Sequence, residues 1–358
     1  SVAPLRFVPC WRFGSPTNAL RLMRTIRAER PDAVLFNIQF ASFGSGKRAG
    51  GAGLLAPWFS KLLGFPTIVL LHNILETVDL KSAGFGDNPL TQALIRTSGA
   101  ILTRMLLAAD RVALTIPKYV EIIRAKYRAR NVLLIPHGTF DDIAQPNLDL
   151  PDGPQQVMTF GKFGTYKKVE TLIEAFQLLQ TRPNAAPLEL VIAGTDSPNA
   201  PGYLANAAQT YAHVPNVRFT GYVAEEQVPV VFEDAAVVVF PYTSTTGSSG
   251  VLHQAGSFGK AVVLPHIGDF VELISEEGYA GEVFEPEDAQ SLADAIARVL
   301  DNPEHRQQLG MQNYLAARGV PIAEVVDWYL LHFRQLCRRT RTATVPPRPV
   351  ISNQPGKA

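Results

Sequence analysis

A glycine-containing loop between two apolar runs is the first feature of this sequence that could bind a ligand. In FPYTSTTGSSGVLHQAGSFGKAVVLP, residues 240–265, an apolar run ends and a loop of small residues follows, with Gly247 and Gly250 in it. A helical pattern over 248–258 and a second apolar run come next. A strand, a glycine turn and a helix start form an anion site when the free N–H groups point at a phosphate. A plain connection between two elements is the simpler interpretation.

Two lysines after another apolar run could add positive charge at the same place. GKFGTYKK, residues 161–168, directly follows the predicted strand Val157–Phe160 and opens a predicted helix at Lys167. In an open α/β sheet, ligands bind beyond the carboxyl ends of the strands. Lys162 and Lys167 would therefore share a crevice with the glycine loop, where two ammonium groups and a helix N-terminus could offset a diphosphate. Solvated lysines at a helix start are the alternative.

Several histidines lie at predicted strand ends. His72, in TIVLLHNILE, ends a buried strand of the first half and would face an interdomain cleft, although a structural role is equally compatible with the sequence. His137, in LLIPHG, also ends a strand, but beside the predicted hinge, which favours a structural role. His253 lies inside the helix after the glycine loop, and His266 ends the next strand.

Other kinds of site are not indicated. No pair of histidines or carboxylates has zinc-like spacing, and no G-x-S-x-G elbow presents a serine nucleophile. Ser248 and Ser249 are typical helix caps. Cys10 and Cys337 lie far apart, which favours a reducing cytoplasm. The net charge of +1 does not support a nucleic-acid binder, and neither a signal peptide nor an apolar run of membrane-spanning length is apparent.

The elements that must position these residues alternate in the second half. Short apolar runs predict strands at Val157–Phe160, Leu188–Ala193, Val217–Thr220, Val237–Phe240, Ala261–Leu264 and Glu282–Phe284. Helical patterns between and after them cover Lys167–Gln180, Pro201–Ala212, Ala224–Asp234, Ser248–Phe258 and Asp288–Leu300. Strict alternation of strand and helix predicts a parallel sheet with right-handed crossovers. The second half is therefore predicted to be a doubly wound α/β domain.

The first half shows the same alternation of strands and helices, but less regularly. Predicted strands are Ala33–Ile38, Pro66–Leu71, Arg111–Ile116 and Asn131–Ile135, with helices at Asn18–Glu29, Leu90–Ala109 and Lys118–Ala129. Three prolines and a glycine at 141–156 predict the boundary. We expect an N-terminal domain over 1–145, a C-terminal domain over 146–320, a last helix within 321–337 that could cross back to the N-terminal domain, and a disordered tail over 338–358.

Four stretches resemble the retaining glycosyltransferases of the GT-B fold, specifically family 4. GKFGTYKK stands where the family has G-R-x-x-x-x-K-G, so Lys162 takes the place of the arginine. FTGYV at 219–223, LIPHG at 134–138 and the glycine-loop segment match the other conserved stretches of the family, and His72 falls on its "HD"-like position. The resemblance covers roughly residues 30–320. It implies an α/β chain with two Rossmann-like doubly wound domains facing each other across a cleft.

Two departures from the family pattern are visible. Its two glutamates, separated by seven residues, would fall on Thr246 and Gln254. Glutamine can still hydrogen-bond a ribose diol, whereas threonine is shorter than glutamate and uncharged. The family's first strand and Gly-rich loop are also absent, and Ser1–Arg12 resembles a later strand.

The resemblance implies metal-independent transfer of a sugar from a nucleotide-diphosphate donor, which is a substrate and not a cofactor, with retention of configuration. UDP-glucose is the favoured donor. Catalysis would involve His72, Lys162 and Lys167, and the donor would be bound by Gly161, Thr246, Gly247, Ser248, Ser249, Gly250, Val251 and Gln254.

The acceptor is expected to be a saccharide or a lipid-linked saccharide, in cytoplasmic polysaccharide biosynthesis. Residues 52–65, AGLLAPWFSKLLGF, could form a membrane-surface helix, although a buried core helix is the commoner explanation. A sugar-nucleotide epimerase and a non-catalytic nucleotide-sugar-binding protein remain as alternative functions.

Overall fold

The chain folds around two parallel β-sheets. A computed structural model describes residues 5–40, 42–44, 47–76, 89–139, 145–183, 186–244, 249–267 and 270–343. Within these residues one sheet has four strands and the other has six. This architecture is the predicted α/β arrangement of two parallel-sheet units.

The N-terminal sheet has the sequential strand order β1-β2-β3-β4. Its strands are β1 (Val34–Ile38), β2 (Thr67–Leu71), β3 (Arg111–Leu114) and β4 (Val132–Leu134), and its helices are α1 (Asn18–Glu29), α2 (Lys47–Gly53), α3 (Ala56–Leu62), α4 (Pro89–Leu106) and α5 (Pro117–Tyr127). All pairings are parallel. The carboxyl ends of β2 and β4, which precede His72 and His137, therefore lie at the same edge of the sheet.

The C-terminal sheet has the order β10-β9-β8-β5-β6-β7. Its strands are β5 (Gln155–Phe163), β6 (Leu188–Asp196), β7 (Val217–Gly221), β8 (Ala235–Val239), β9 (Val262–Pro265) and β10 (Glu282–Phe284); its helices are α6 (Glu170–Gln180), α7 (Tyr203–Thr210), α8 (Val228–Glu233), α9 (Gly250–Ser257), α10 (Phe270–Glu276), α11 (Ala289–Leu300) and α12 (Pro303–Arg318). The strand order reverses between β5 and β8, and ligands of doubly wound folds bind at such a reversal.

Apolar periodicity explains how the C-terminal elements pack. In α6, Leu172, Ile173, Phe176 and Leu179 recur with the helical period, and each is fully buried. The central strand β8 is buried along its whole length, as expected of a parallel strand covered on both faces. The carboxyl ends of β5 and β8 are thereby held rigidly side by side.

The last helix, α13 (Ile322–Ala343), packs on the N-terminal sheet. Its Val325, Tyr329 and Leu336 form one buried cluster with residues of that sheet and of the segment after it, namely Ile68, Ala113 and Ile135. The chain thus returns to the N-terminal sheet after completing the C-terminal one.

The segment 52–65 contributes to the N-terminal core. Helix α3 buries Ala56, Pro57 and Ser60, and Phe59 packs against the apolar cluster of this half. These contacts favour the interpretation of 52–65 as a core segment. Among the described helices, none combines the length and the apolar character needed to cross a bilayer.

Several predicted elements differ from the observed ones, and three of these differences concern the ends of the chain or the candidate site. Helix α6 begins at Glu170 and not at Lys167, because Lys167 forms a backbone bridge to Tyr242. Residues 5–12, the described part of Ser1–Arg12, form no strand, and the backbone N–H and C=O of Arg12 are hydrogen-bonded by the side chain of Asn18. Helix α13 continues to Ala343, which includes the first residues of the predicted tail, because no proline occurs before Pro346.

Candidate active site

The carboxyl ends of β5 and β8 form the base of the candidate site. Strand β5 continues through GKF to Phe163, so Gly161 and Lys162 belong to the strand rather than to a turn after it. Gly161 has φ +143° and pairs with Gly194 of β6, where an added Cβ would lie 1.9 Å from the Gly161 carbonyl oxygen. Only glycine at these two positions lets the strands approach this closely.

Lys167 is buried above this glycine pair. Its side chain is 9% exposed, and its Nζ lies 2.8 Å from where a Cβ of Gly161 would be. The ammonium lies 4.7 Å from the ring centroid of Tyr242, and no carboxylate of the described residues pairs with it. Burial lowers the pKa of this ammonium. A buried cation with only aromatic rings beside it lacks the anion that would stabilise its charge.

Backbone hydrogen bonds hold Lys167 in place. The N–H of Gly164 donates to the Lys167 carbonyl at 2.9 Å, and the N–H of Lys168 donates to the Pro241 carbonyl at 3.1 Å. The N–H of Thr243 donates to the Tyr166 carbonyl at 2.8 Å. The segment after β5 is therefore tied to the segment after β8, which leads to the glycine loop. Lys162, in contrast, has an exposed side chain.

Helix α9 begins at the same edge of the sheet. Ser249 is its N-cap residue with extended backbone angles, and Gly250 is its first helical residue. The Ser249 hydroxyl makes no capping hydrogen bond, so the predicted capping role of this side chain is wrong. The first N–H groups of a helix have no partner within it, which leaves the amides of Gly250 and Val251 available to an anion. The predicted donor-binding residues Thr246, Gly247 and Ser248 lie outside the described residues.

Three histidine rings meet where the two sheets face each other. The rings of His137 and His253 are parallel within 10°, with centroids 4.7 Å apart. The His72 ring lies on the other side, 6.2 Å from that of His137. Because His253 belongs to α9 whereas the other two follow strands of the N-terminal sheet, this stack joins the two halves of the chain.

His72 is oriented by a neighbouring strand. Its Nε2 donates to the side-chain oxygen of Asn37 in β1 at 2.6 Å, and its backbone N–H donates to the Ile38 carbonyl at 3.2 Å. Burial, together with the proximity of His137, lowers the pKa of His72, so the ring is neutral at neutral pH. A neutral, fixed imidazole can orient a ligand hydroxyl or stabilise developing charge.

His253 is the most deeply buried member of the stack. Its Nδ1 lies 2.7 Å from the Tyr279 hydroxyl, and its Nε2 lies 3.7 Å from a carboxylate oxygen of Glu277. Burial lowers the pKa of His253 to about 3. The sequence places this residue correctly in a helix, but the stacking depends on how the two halves meet and leaves no local signal in the sequence.

Gln254 lines a cavity of about 760 Å³ beside the C-terminal half of α9. The cavity lies between α9, α8 and the segment that leads into β5, and its wall includes Glu225, Val228, Pro229 and Phe258. The wall mixes apolar side chains with polar ones, among them four carboxylates, and its volume lies in the range of about 300–1,000 Å³ that is usual for small-molecule sites. Gln254, the residue predicted to hold ribose, thus lies one turn into α9 on the wall of a space large enough for a nucleoside.

Parts of this sequence are similar to known proteins. The family model described as "Glycosyl transferases group 1" matches residues 154–302. The D-rhamnosyltransferase WbpZ of Pseudomonas aeruginosa is 22% identical over 229 residues, which cover 61% of this chain and 57% of that relative. This chain thus spans little more than half the length of that relative.

Solved structures share the fold of the whole chain. Sucrose-phosphate synthase from Thermosynechococcus elongatus has a TM-score of 0.67 and 21% identity, over 96% of this chain and 82% of that one. Anabaena Alr3699/HepE in complex with UDP-glucose has a TM-score of 0.62 and 17% identity, over 90% and 82% of the two chains. The resemblance to the group 1 glycosyl transferases and the GT-B fold of this chain are therefore confirmed.

Proposed function

We propose that this chain transfers a sugar from a nucleotide-diphosphate donor to a saccharide or lipid-linked acceptor, with retention of the anomeric configuration. The observation that carries the proposal is the buried Lys167 ammonium, which lies at the strand-order reversal and has no carboxylate partner among the residues that the structure describes. The amides at the start of α9 follow the neighbouring strand β8 at the same edge of the sheet. A diphosphate is the ligand class that could accept hydrogen bonds from both the Lys167 ammonium and these amides.

Departure of the nucleoside diphosphate would be the difficult step. The bond between the sugar C1 and the phosphate oxygen breaks, and its electron pair remains on the diphosphate while the sugar becomes oxocarbenium-like. Lys167 and the amides of Gly250 and Val251 would stabilise this growing negative charge. Because these groups are fixed before the reaction, they would act on the transition state without reorganising. Lys162, which is exposed at the end of β5, would contribute a further cation when the donor binds.

His72 would act on the sugar from the opposite side of the cleft. Its ring is neutral and held by Asn37, so it would orient a hydroxyl of the sugar or stabilise charge near C1. The acceptor hydroxyl forms the new bond to C1, and its proton passes to the leaving diphosphate oxygen. This direct route would place acceptor and leaving group on one face of the sugar, which gives retention.

The nucleoside half of the donor would occupy the cavity lined by Gln254. The amide of Gln254 can both donate to and accept from a ribose diol, and the apolar part of the wall would cover the base. UDP-glucose is the first donor to test, because a structure with this fold has been obtained with UDP-glucose. We further infer that no metal takes part in the reaction, and that the enzyme works in the cytoplasm in polysaccharide biosynthesis.

A non-catalytic nucleotide-sugar-binding protein is the second candidate. The glutamine at position 254, in place of the glutamate of the family pattern, favours it. Such a protein would keep the diphosphate site and bind donors without cleaving them.

The proposal is tested by incubating the protein with UDP-, GDP- and ADP-sugars, with and without EDTA, and measuring the nucleoside diphosphate that is released. We expect release from one donor class, undiminished by EDTA, and strongly reduced in Lys167→Met. Binding without release would favour the non-catalytic protein, and neither binding nor release with any donor would contradict both functions.

A further inference from the structure

His137 faces the first residue of α9 from across the cleft. A Cβ at Gly250 would lie 3.9 Å from the His137 Nε2. This distance is an ordinary van der Waals contact, so the ring lies directly beside the amides that the proposed diphosphate would contact. This places an imidazole nitrogen next to the proposed leaving group, although His137 belongs to the segment that follows the N-terminal sheet.

The backbone around His137 is fixed at both ends. Before it, the N–H of Ile135 donates to the Leu114 carbonyl of β3 at 2.9 Å. After it, the N–H of Thr139 donates to the Val320 carbonyl at 2.9 Å, and its hydroxyl donates to the Ala317 carbonyl at 2.5 Å. The ring is thus held by a rigid segment and does not depend on a mobile loop for its position.

The hydrogen bonds of His137 leave one nitrogen available. Nδ1 lies 3.1 Å from the Gly138 carbonyl oxygen, which can only accept, so the proton of the neutral ring is on Nδ1. Nε2, which faces α9, then carries a lone pair. Protonation of Nε2 would turn this nitrogen into a second donor without breaking the first hydrogen bond.

The neighbours of His137 allow it to take a proton. The titratable groups that face it are His72, at the end of β2, and His253, on α9. Burial keeps the pKa of His253 near 3, so the ring stacked against His137 remains neutral. No carboxylate of the described residues pairs with His137, and burial lowers its pKa although the Gly138 carbonyl opposes the shift. The ring is therefore neutral until an anion arrives.

We propose that His137 is a further catalytic residue, whose Nε2 takes up a proton when a diphosphate binds at the start of α9 and then donates a hydrogen bond to the leaving diphosphate. This inference rests on the proposed function. The proton comes from solvent and returns there when the nucleoside diphosphate dissociates. During the reaction it stays on His137, where it strengthens the hydrogen bond as negative charge grows on the leaving oxygen.

The sign of the pH effect follows from the change in protonation. The pKa of His137 is higher in the complex than in the unliganded protein, so the complex binds more protons between these two pKa values. Affinity is then greatest at low pH and falls as pH rises through the pKa of the complex. A side chain that only stacks would not produce this dependence.

Calorimetric titration of the full chain with UDP, GDP and ADP, in two buffers of different ionisation enthalpy, measures the proton uptake. The variants are His137→Gln and His137→Phe, the latter keeping a flat ring against His253, and the control is His213→Gln at an exposed histidine. The terminal phosphate of the nucleotide titrates near pH 6 in all four proteins, so its contribution cancels in the comparison.

We expect greater proton uptake in the wild type and in His213→Gln than in either His137 variant. The best-binding nucleotide should lose about 10- to 100-fold in affinity in both His137 variants, as expected for a hydrogen bond to a charged group. Equal proton uptake and affinity in folded His137→Phe would overturn this role while leaving the proposed function intact. Failure of all three nucleotides to bind the wild type would overturn both.

Discussion

Two buried lysines lie at opposite ends of the C-terminal sheet, and their surroundings differ. Lys260, before β9, is 5% exposed, and its Nζ donates to the Glu233 carbonyl oxygen at 2.8 Å. Lys167, after β5, is 9% exposed and contacts aromatic rings, with no hydrogen-bond acceptor among the described residues. Burial lowers the pKa of both ammonium groups, at Lys260 to about 8, where the carboxylates of Glu233 and Asp234 oppose the shift and the Arg306 guanidinium adds to it.

This difference separates a structural lysine from one that requires a ligand. Lys260 is satisfied by the fold itself and joins the end of α8 to the start of β9. Lys167 has no such acceptor among the described residues, so we expect its burial to weaken the unliganded protein and an anion from the cleft to stabilise it. Under the proposed function, the carboxyl end of the sheet serves binding and the amino end serves stability.

Replacing each lysine by methionine should give the largest expected difference in reaction rate between the two sites. Lys167→Met is expected to lower the rate of diphosphate release by about 100- to 1000-fold, because a preorganised donor to the leaving group is lost. Lys260→Met should retain the rate of the wild type. Initial rates with the best donor measure both, and equal rates in the two variants would remove the distinction.

The same two variants should differ in stability in the opposite sense. Lys167→Met removes a buried charge without a partner and should raise the free energy of unfolding of the unliganded protein by about 1–3 kcal/mol. Lys260→Met leaves the Glu233 carbonyl without its donor and should lower that free energy by about 1–3 kcal/mol. Urea denaturation compares them, and destabilisation by Lys167→Met would indicate a structural role for Lys167.

His72→Ala would separate the facing side of the cleft from the site of the diphosphate. We expect turnover to fall by about 100-fold, in the range found for positioned catalytic side chains, while nucleotide affinity remains nearly unchanged. Rates and calorimetric affinities measured together test this division. A large loss of nucleotide affinity would place His72 at the diphosphate instead of the sugar.

Gly161→Ala should displace Lys167 without changing its charge. The new Cβ would lie 2.8 Å from Nζ, and the φ of +143° strains any side chain. We expect nucleotide affinity to fall by roughly tenfold at a stability cost of about 1–3 kcal/mol. Gly153→Ala is the control, because it also has a positive φ but no neighbouring atom within 4 Å. Unchanged affinity in Gly161→Ala would mean that Lys167 does not need its observed position.

Lys260 should also make the free energy of unfolding depend on pH. Its pKa in the folded protein is about 8, compared with 10.5 for an exposed lysine. Between these values the unfolded chain holds a proton that the folded chain has lost, so the free energy of unfolding rises with pH. The rise should reach about 3 kcal/mol at most across this window. Urea denaturation of the wild type should show the rise relative to Lys260→Met, and parallel curves would exclude it.

The sequence predicts most elements because their periodicity is local. The strand Glu282–Phe284 and the helix Asn18–Glu29 have their predicted bounds, and α6 has its predicted apolar face. The missed helix α12 carries a recognisable start signal, since Asn302 caps it and Pro303 is its first residue. The capping residues therefore indicate this helix from the sequence, whereas its apolar periodicity alone does not.

The site is predictable in its parts but not in its contacts. The rule that ligands bind at the carboxyl ends of strands selects Lys167, His72 and the start of α9 from the sequence alone. The burial of Lys167 depends instead on a bridge to Tyr242, and the stack of His137 on His253 depends on how the two halves meet. These contacts join distant parts of the chain and have no periodic signature. The roles assigned to the site residues therefore remain predictions.

A crystal structure with the nucleoside diphosphate that binds best tests the central claim most directly. We expect a phosphate oxygen within about 3 Å of the Lys167 Nζ, the usual distance for a charge-assisted hydrogen bond, and further oxygens facing the amides of Gly250 and Val251. A nucleotide bound elsewhere, with Lys167 still enclosed by aromatic rings and without an anion, would contradict the account.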